Sequence, residues 1–364
     1  MGGRERPATI ARRMKLIIQI PCLNEEDQLP ATLADLPRAV PGFDSVEWLI
    51  IDDGSTDRTV EVARANGVDH VVRLTNNKGL AAAFQAGIDA CLKLDADVIV
   101  NTDADNQYDA RDIPKLLDPI LRGEADLVVG DRVIDSVEHF SPLKKRLQRY
   151  GSAVVRRASG TDVPDTTSGF RAYNREAALQ VTVVSKYTYT LESIIQAGKM
   201  LVAVDHTPIN ARKVDRPSRL FGHSMWGYVR RNALAIFRVY SMYEPLRVFM
   251  TAAAVVGIVA AAIWLRYLVL LISGEGPGHL QSVIVGAVLV IAAVQLAALG
   301  VIGDILAGMR TLQQRTLERV RRVELQLGVQ PSHYEPGEPG AAEPTTGVDA
   351  GPATGKPDRE TVGL

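Results

Sequence analysis

Short apolar runs alternate with helix-like segments from residue 14 to about residue 131. Residues 16–20, 48–51, 70–74, 97–102 and 126–130 are typical of buried strands, and residues 25–39, 58–66, 80–92 and 113–121 are typical of helices. Alternation at this spacing predicts an α/β fold, a parallel doubly wound sheet with helices on both faces. Because such sheets bind ligands at the carboxyl ends of their strands, the residues that follow each apolar run are the candidates for chemistry.

Two carboxylates one residue apart, Asp103 and Asp105, follow the fourth apolar run. They offer hard oxygen ligands, which suit Mg²⁺ or Mn²⁺ bridging to a substrate diphosphate. Aspartates are also common in turns, so the pair alone does not decide between the two roles. The first strand ends in residues 21–26 and the second in the acidic residues 52–57. The three strand ends are expected to lie side by side, which brings these acids into one crevice.

Several other classes of site are excluded or disfavoured. A Gly-rich dinucleotide fingerprint and a phosphate loop are both absent from the sequence, which favours a mononucleotide with a metal ion. The formal net charge of −1 argues against a nucleic-acid-binding protein. Cys22 and Cys91 have no metal-ligand spacing and fit a reduced cytosolic compartment. The basic, polar residues 2–13 do not resemble a signal peptide.

Two long apolar segments predict an integral membrane protein. Residues 246–272 and 282–306 are almost wholly apolar, and each meets the requirement of about 20 residues for a helix that crosses a bilayer. The connector 273–279 contains no Lys or Arg, whereas arginines precede the first segment and follow the second. The positive-inside rule therefore predicts that both termini lie in the cytoplasm of a cell-membrane protein, joined by a short exterior hairpin.

The segments that flank the spans are expected to contact the membrane, the protein or solvent in different ways. Residues 142–158 and 225–240 mix arginines with apolar and aromatic residues, which is typical of amphipathic helices at a membrane interface. After the second span, an apolar stripe at 3–4 spacing predicts that the helix continues: Met309, Leu312, Thr316, Val320, Val323 and Leu327. The stripe can pack on the chain's own catalytic domain or on another subunit of a homo-oligomer. From residue 328 the composition predicts a disordered acidic tail.

Five motifs in this order resemble a known enzyme family: residues 21–25, 51–57, 77–79, 103–107 and 168–171. The succession is similar to inverting family 2 glycosyltransferases of the GT-A fold. Within that family it most resembles the dolichol-phosphate mannose or glucose synthase-like branch, which makes polyprenyl-phosphate sugars. The resemblance covers about residues 14–245. The two C-terminal spans also resemble those of bacterial bactoprenol-phosphate glucosyltransferases.

The resemblance implies a role for each matching residue. The expected nucleotide-sugar contacts are Pro21, Leu23, Glu25, Ile51, Asp53, Lys78, Asp103, Ala104 and Gln107. The expected metal site, for Mg²⁺ or Mn²⁺, consists of Asp103, Asp105 and Gln107. The expected catalytic residues are Asp105, Arg132 and Arg212, and the acceptor phosphate is expected to meet Arg212, Ser218 and Arg219. Arg219 stands where the family has Lys, and Arg216 stands where it has Gly.

The predicted reaction is transfer of a sugar from a UDP- or GDP-sugar to undecaprenyl, decaprenyl or dolichyl phosphate with inversion. A phosphomonoester is largely dianionic at neutral pH, so it needs no strong general base. Asp165 and Glu192 are candidates to hold sugar hydroxyls or acceptor-side arginines, or to support the fold. A polysaccharide synthase is disfavoured because no Gln-x-x-Arg-Trp motif occurs and two spans are too few for a polymer channel. A catalytically inactive membrane scaffold is disfavoured by the intact acids.

The sequence is therefore divided into six parts. Residues 1–13 are predicted to be a flexible basic N-terminus, 14–224 a GT-A catalytic domain, and 225–245 a juxtamembrane amphipathic helix. Residues 246–307 are predicted to be a transmembrane hairpin, 308–327 a cytosolic helix, and 328–364 a disordered tail. The expected partners are a nucleotide sugar, a polyprenyl phosphate and membrane lipids, and no nucleic acid.

Overall fold

A computed structural model describes residues 13–133, 142–183, 189–212, 237–238, 240–274 and 276–336. Its strands are β1 Lys15–Cys22, β2 Ser45–Asp52, β3 His70–Arg73, β4 Val98–Asn101, β5 Leu127–Asp131, β6 Arg171–Asn174, β7 Val204–Pro208 and β8 Tyr334–Pro336. Its helices are α1 Leu29–Asp35, α2 Thr59–Ala65, α3 Leu80–Lys93, α4 Ile113–Leu121, α5 Pro142–Ser159, α6 Arg175–Gln180, α7 Thr190–Lys199, α8 Pro245–Ile272 and α9 Leu280–Gln326. Short 3-10 turns, Ala110–Asp112 and Gly276–His279, precede α4 and α9.

All eight strands form one sheet in the order β7-β5-β6-β4-β1-β2-β3-β8. Strands β4, β1, β2 and β3 are parallel, as the alternating pattern predicts. The sheet as a whole is mixed, because β6 runs antiparallel between β4 and β5, and β8 runs antiparallel to β3. The expectation of a purely parallel sheet is corrected in this respect, while the GT-A-like α/β fold class is confirmed.

Two apolar clusters cover the two faces of the sheet. Alternate residues of β1 belong to opposite clusters, with Ile17 on one face and Ile18 on the other, and both are fully buried. This alternation is the period of two that an extended strand imposes. Burial on both faces explains why the central strands are almost continuously apolar. The sheet therefore holds the loops at its strand ends on a rigid base.

The first helix is shorter than the sequence pattern predicts. The predicted helix covers residues 25–39, whereas α1 runs only from Leu29 to Asp35. Pro30 lies in its first turn, where the missing N–H is tolerated. Leu36 is extended because it precedes Pro37, and a residue before proline avoids the helical region. The freed residues 25–28 form part of the loop after β1.

Helices α8 and α9 confirm that the two predicted apolar segments are long helices. Both are long and apolar enough to cross a membrane, and only 6% and 11% of their most apolar windows are buried within the protein. They pack against each other, and the Trp264 indole donates to the Val283 carbonyl at 3.2 Å. Their remaining apolar surface is exposed, which indicates association with a membrane. The predicted interface helix at 225–240 lies almost entirely outside the described residues.

The helix continues beyond the second apolar segment, as the 3–4 spacing predicts. One continuous helix, α9, includes both the span and the predicted cytosolic helix at 308–327. The predicted apolar stripe stays exposed at all six positions. The α/β domain instead contacts another face of the helix, through Arg310, Arg321 and Leu325. The domain contacts this face because the arginines on it find buried hydrogen-bond acceptors on the domain.

The prediction that the chain is disordered from residue 328 is wrong for residues 328–336. Residues 328–336 have defined structure, and Tyr334–Pro336 forms the edge strand β8 on β3. Gly328 adopts a φ of 65°, which ends α9 and turns the chain toward the sheet. Backbone hydrogen bonds to β3 order these residues, and amino-acid composition alone does not reveal such pairing. The remainder of the predicted tail, residues 337–364, lies outside the described residues.

Candidate active site

The ends of β1 and β2 are joined by bonds between their loops. The Asn24 amide N–H donates to the Ser55 hydroxyl at 2.9 Å, and the Thr56 N–H donates to the Asn24 side chain at 2.8 Å. Asn24 has a φ of 53°, a conformation that asparagine tolerates better than most residues. The Glu25 N–H donates to the Thr59 hydroxyl at 2.9 Å. These bonds fix residues 21–26 against 52–57 at one edge of the sheet.

Asp53 holds a third segment against these two loops. Its carboxylate accepts the backbone N–H groups of Lys78 and Gly79 at 2.7 and 2.9 Å, just before α3 begins. Gly54 makes this approach possible, because a Cβ there would lie 2.7 Å from the backbone of Asn76 and Asn77. Asp53, predicted to contact the donor, therefore acts in this structure by holding the loop that carries Lys78.

The predicted apolar donor contacts lie at the same edge but differ in access. Pro21 and Ile51 face each other in the register of β1 and β2, and both are buried. The Ile51 side chain is fully buried in the core, so only its backbone can meet a donor. Leu23 is partly exposed at the end of β1. Of these three predicted contacts, Leu23 has the accessible side chain.

Asp103 and Asp105 lie in the loop directly after β4, the strand next to β1. Burial raises the pKa of Asp103 from 3.8 to about 7, and the charge of Asp105 adds to this shift. The guanidinium of Arg132 and a hydrogen bond from Tyr108 oppose it. The Asp105 carboxylate accepts the N–H of Gln107 at 3.1 Å. Two acids thus share one small region with too little positive charge to compensate them.

This pair of carboxylates suits a divalent cation that takes its remaining ligands from the substrate and water. Within the described residues, no group of three or more His, Cys, Asp or Glu side chains could hold a metal. Mg²⁺ usually binds one or two carboxylates and takes its other ligands from phosphates and water. The pair Asp103 and Asp105 fits that pattern. Gln107 and Ala104 lie in the same loop, where the Ala104 carbonyl is engaged by the Thr32 hydroxyl at 2.8 Å.

Arg132 follows β5 and is held by a buried ion pair. Its guanidinium donates to both oxygens of Asp165, at 2.6 and 3.1 Å, and to the Thr167 hydroxyl at 2.8 Å. Burial would raise the pKa of Asp165, but Arg132 outweighs it and keeps that pKa below the usual 3.8. Arg132 is also near enough to stabilise the charged form of Asp103. Asp165 therefore positions Arg132 near Asp103.

A buried polar network that the sequence interpretation did not identify lies next to Asp103. The Asn101 amide donates to the Gly169 carbonyl at 2.8 Å and to the Tyr189 hydroxyl at 2.9 Å. The Gly169 N–H donates to the Tyr108 hydroxyl at 2.9 Å. Gln19 donates to Asn101 at 2.8 Å from within the apolar strand β1. The sequence signal for this network is one polar residue in each of two apolar strands, Gln19 in β1 and Asn101 in β4.

The loop that contains Gly169 is fixed by a buried arginine. Arg171 is fully buried and donates to the carbonyls of Ser168 and Thr166, at 2.8 and 3.0 Å. It also donates to the Ser193 hydroxyl of α7 at 2.7 Å. A Cβ on Gly169 would lie 3.0 Å from an Asp103 oxygen, so this loop must approach the carboxylate with a glycine. The network thus determines where Asp103 sits.

Arg212 lies beside the loop that contains Asp103 and Asp105. Its guanidinium pairs with Asp35 of α1, donates to the Asn106 side chain at 3.0 Å and approaches Asp109 at 3.4 Å. Hydrogen bonds from Arg212 and Asn106 lower the pKa of Asp35. The backbone N–H of Arg212 donates to the Gln107 carbonyl at 2.8 Å. The other predicted acceptor residues, Ser218 and Arg219, lie outside the described residues.

Glu192, a candidate for the acceptor side, contacts an arginine from an unexpected element. Its fully buried carboxylate accepts from Arg310 of α9 at 2.7 Å. The Arg310 guanidinium also lies over the Tyr243 ring, 4.6 Å from its centroid. The catalytic domain and the second apolar helix are therefore linked by a buried ion pair.

Comparison with known proteins identifies the family of the chain. Residues 17–182 match the model of glycosyl transferase family 2. An undecaprenyl-phosphate mannosyltransferase of Micrococcus luteus is 33% identical over 206 residues, which cover 54% of this chain and 83% of that protein. The chain belongs to glycosyl transferase family 2. It is a glycosyltransferase, and the predicted resemblance to enzymes that act on polyprenyl phosphates is confirmed.

Other relatives of the glycosyltransferase have related names. A polyprenol monophosphomannose synthase of Mycolicibacterium smegmatis is 32% identical over 182 residues, 48% of this chain and 67% of that protein. Among solved structures, a glucosyl-3-phosphoglycerate synthase of Mycobacterium tuberculosis was crystallised with Mn²⁺, UDP and phosphoglyceric acid. It is 21% identical, with a TM-score of 0.49 over 63% of this chain and 79% of that one.

Proposed function

We propose that the protein transfers a monosaccharide from a UDP- or GDP-linked sugar to a polyprenyl phosphate, with inversion, at the cytoplasmic face of a membrane. The observation that carries the proposal is the cluster of Asp103, Asp105 and Arg132 at the strand ends, where the sequence predicts the crevice. The two apolar helices supply a reason for a lipid acceptor. Relatives named for polyprenyl-phosphate and undecaprenyl-phosphate sugar transfer support the same acceptor class.

Asp103 and Asp105 would hold Mg²⁺ or Mn²⁺, with Gln107 beside them. Burial, and after it the charge of Asp105, raise the pKa of Asp103, and a bound cation would stabilise the charged form of both carboxylates. When bound, such a cation neutralises charge on the departing nucleoside diphosphate. Arg132 adds a fixed positive charge beside the same carboxylates, and its ion pair with Asp165 keeps it oriented.

The acceptor phosphate would be the nucleophile. One of its oxygens forms the new bond to the anomeric carbon as the bond to the nucleoside diphosphate breaks on the opposite face, which inverts the configuration. With a second pKa near ~6, the phosphate is largely dianionic at neutral pH and needs no general base. Arg212, next to the Asn106 side chain, would hold it together with Ser218 and Arg219. A bidentate arginine contact suits a phosphate.

A cavity near the first span supports a lipid acceptor. It has a volume of about 740 Å³ and is lined by Arg157, Phe237, Tyr240, Arg247, Val248, Met250 and Thr251. Arg247 lies in the first turn of α8, and Met250 and Thr251 lie about one turn further along the span. With the span in a bilayer, Arg247 would lie at the interface and Met250 deeper, which matches the order of groups in a phosphate-bearing lipid.

The distribution of arginines supports a cytoplasmic location for the catalytic domain. Arg247 begins the first span, and Arg310 follows the second, while the connector 273–279 has no Lys or Arg. Under the positive-inside rule both termini lie in the cytoplasm. The catalytic domain would then lie on the cytoplasmic side, together with both termini.

A panel of radiolabelled UDP- and GDP-sugars, incubated with membranes that contain the protein and polyprenyl phosphate, tests this proposal. Lipid extraction should recover label from at least one sugar. Asp105→Ala should abolish the transfer in Mn²⁺ while the protein stays folded, because the leaving diphosphate loses a charge-bridging carboxylate. Asp95→Ala is the matched control, since the Asp95 side chain is 84% exposed. Wild-type-like transfer by the Asp105 variant would refute the assigned site.

A further inference from the structure

The cytosolic part of α9 and the strand after it, residues 310–336, form one continuous element that we name the C-terminal strap. Arg310 pairs with Glu192 of α7 at 2.7 Å. Eleven residues later, Arg321 donates to the carbonyls of Leu179 and Val181, at 3.0 and 2.7 Å. A helical rise of about 1.5 Å per residue separates the two arginines by about 16 Å. The strap therefore contacts the catalytic domain at widely spaced points.

Both arginines are held where a displacement is unfavourable. Glu192 is fully buried, and Arg321 is only 8% exposed. Removing one partner of a buried charge pair, or leaving buried carbonyls without donors, destabilises a protein strongly. Further along, Glu324 pairs with Lys93 of α3 at 3.3 Å. The strap thus has one preferred position along the domain and one preferred rotation.

The strap ends at the far edge of the sheet. Strand β8 pairs with β3, the His70 ring bonds the Tyr334 hydroxyl at 2.9 Å, and Glu335 pairs with Arg64. The Arg73 N–H donates to the His333 carbonyl at 2.9 Å. The Arg73 side chain in turn lies 3.4 Å from Asp52, at the nucleotide end of β2. One end of the strap therefore lies beside the nucleotide loops.

The other end lies beside the loop that holds the reacting groups. Glu192 precedes Ser193, which accepts from the buried Arg171 at 2.7 Å. Arg171 in turn fixes residues 166–168, next to Asp165, the partner of Arg132. Since α9 continues without a break into the span, the position of the crevice is tied to the position of the span.

We infer that the C-terminal strap is a rigid spacer that sets the height and rotation of the crevice relative to the bilayer, with Arg310 and Arg321 as its positioning residues. The inference rests on the proposed function, since only an acceptor held in the membrane requires a fixed height. A long polyprenyl phosphate cannot follow a crevice that has moved away from the interface. A short, water-soluble isoprenyl phosphate can reach the crevice at any height.

An insertion in α9 separates the span from the strap. Seven alanines after Gly308 lengthen the helix by about 10 Å and return it to within about 20° of its original face. Gly308 lies between the span and Arg310, and a Cβ there would meet no atom within 4 Å. The matched control is the same insertion after Gly274, in the connector on the other side of the spans, where the space is also open.

Each variant is assayed with the nucleotide sugar that the wild type uses, once with undecaprenyl phosphate in vesicles and once with a soluble phosphate ester of two isoprene units. We expect the Gly308 insertion to lower kcat/KM at least tenfold for the vesicle acceptor and less than twofold for the soluble one. The Gly274 insertion should change neither. The spacer role is refuted if the Gly308 insertion leaves kcat/KM unchanged for both acceptors, or lowers it equally for both. A wild type that uses neither acceptor overturns the proposed function instead.

Discussion

Replacement of Asp103 by asparagine should stabilise the metal-free protein, even though Asp103 belongs to the reacting site. The folded-state pKa of about 7 lies above the ordinary 3.8 because burial and Asp105 disfavour the charged form. The folded protein therefore binds this proton more tightly than the unfolded chain. Stability falls as pH rises from about 4 to about 7, and the full penalty is present above about pH 7. An asparagine side chain at this position cannot ionise and escapes this penalty.

The magnitude follows from the size of the shift. A difference of about three pKa units corresponds to about 4 kcal/mol at pH 8, and to about 2 kcal/mol at pH 5, where only part of the penalty is present. The stabilisation by Asp103→Asn should therefore grow by about 2 kcal/mol between pH 5 and pH 8. For a domain of this size, that difference raises the Tm gain by several degrees.

Thermal unfolding in detergent with EDTA, at pH 5 and pH 8, measures the effect. Asp118→Asn is the matched control, because the Asp118 side chain is 57% exposed and should show little difference between the two pH values. Mn²⁺ should stabilise the wild type and leave the Asp103 variant unchanged. A variant that is no more stable than the wild type at pH 8, or equally stabilised at both pH values, would refute the reasoning.

Two further substitutions test the crevice. Gly169→Ala places a Cβ about 3 Å from an Asp103 oxygen, so transfer should fall at least tenfold in the radiolabel assay, whereas Gly308→Ala, in open space, should leave it unchanged. Arg212→Lys should weaken transfer to polyprenyl phosphate much more than calorimetric binding of the donor, because Lys cannot form the bidentate phosphate contact. Equal losses in transfer and donor binding would assign Arg212 to the donor side.

The parallel centre of the sheet was predictable because its signal is local. Each strand from β1 to β4 is a short apolar run followed by a helix, and the sequence shows both. The acids at these strand ends converge because neighbouring parallel strands finish at one edge, so Asp53 and Asp103 could be assigned to one crevice before their contacts were known. This part of the site follows from periodicity and from the rules of sheet topology.

Pairings between distant segments were not predictable in the same way. Strand β6 lies between β4 and β5, and β8 pairs with β3 from the far end of the chain. Either strand is only three or four residues long, too short for an alternating pattern to identify. The face of α9 that meets the domain was not predictable for a related reason. Its exposed stripe has the stronger apolar pattern, but Glu192 and the carbonyls near Val181 pair with the other face.

The two arginines of the crevice differ in a way that the sequence could not reveal. Arg132 is only 10% exposed and its partner Asp165 is fully buried. If a ligand replaced Asp165 as the partner of Arg132, the Asp165 carboxylate would stay buried with neither a counter-charge nor water, which is unfavourable. Arg212 and its partner Asp35 are both more than a third exposed. An exposed ion pair contributes little free energy, so a dianionic phosphate can displace Asp35 without a large penalty. Arg132 is thus suited to a permanent charge at the donor, and Arg212 to an acceptor that arrives and leaves.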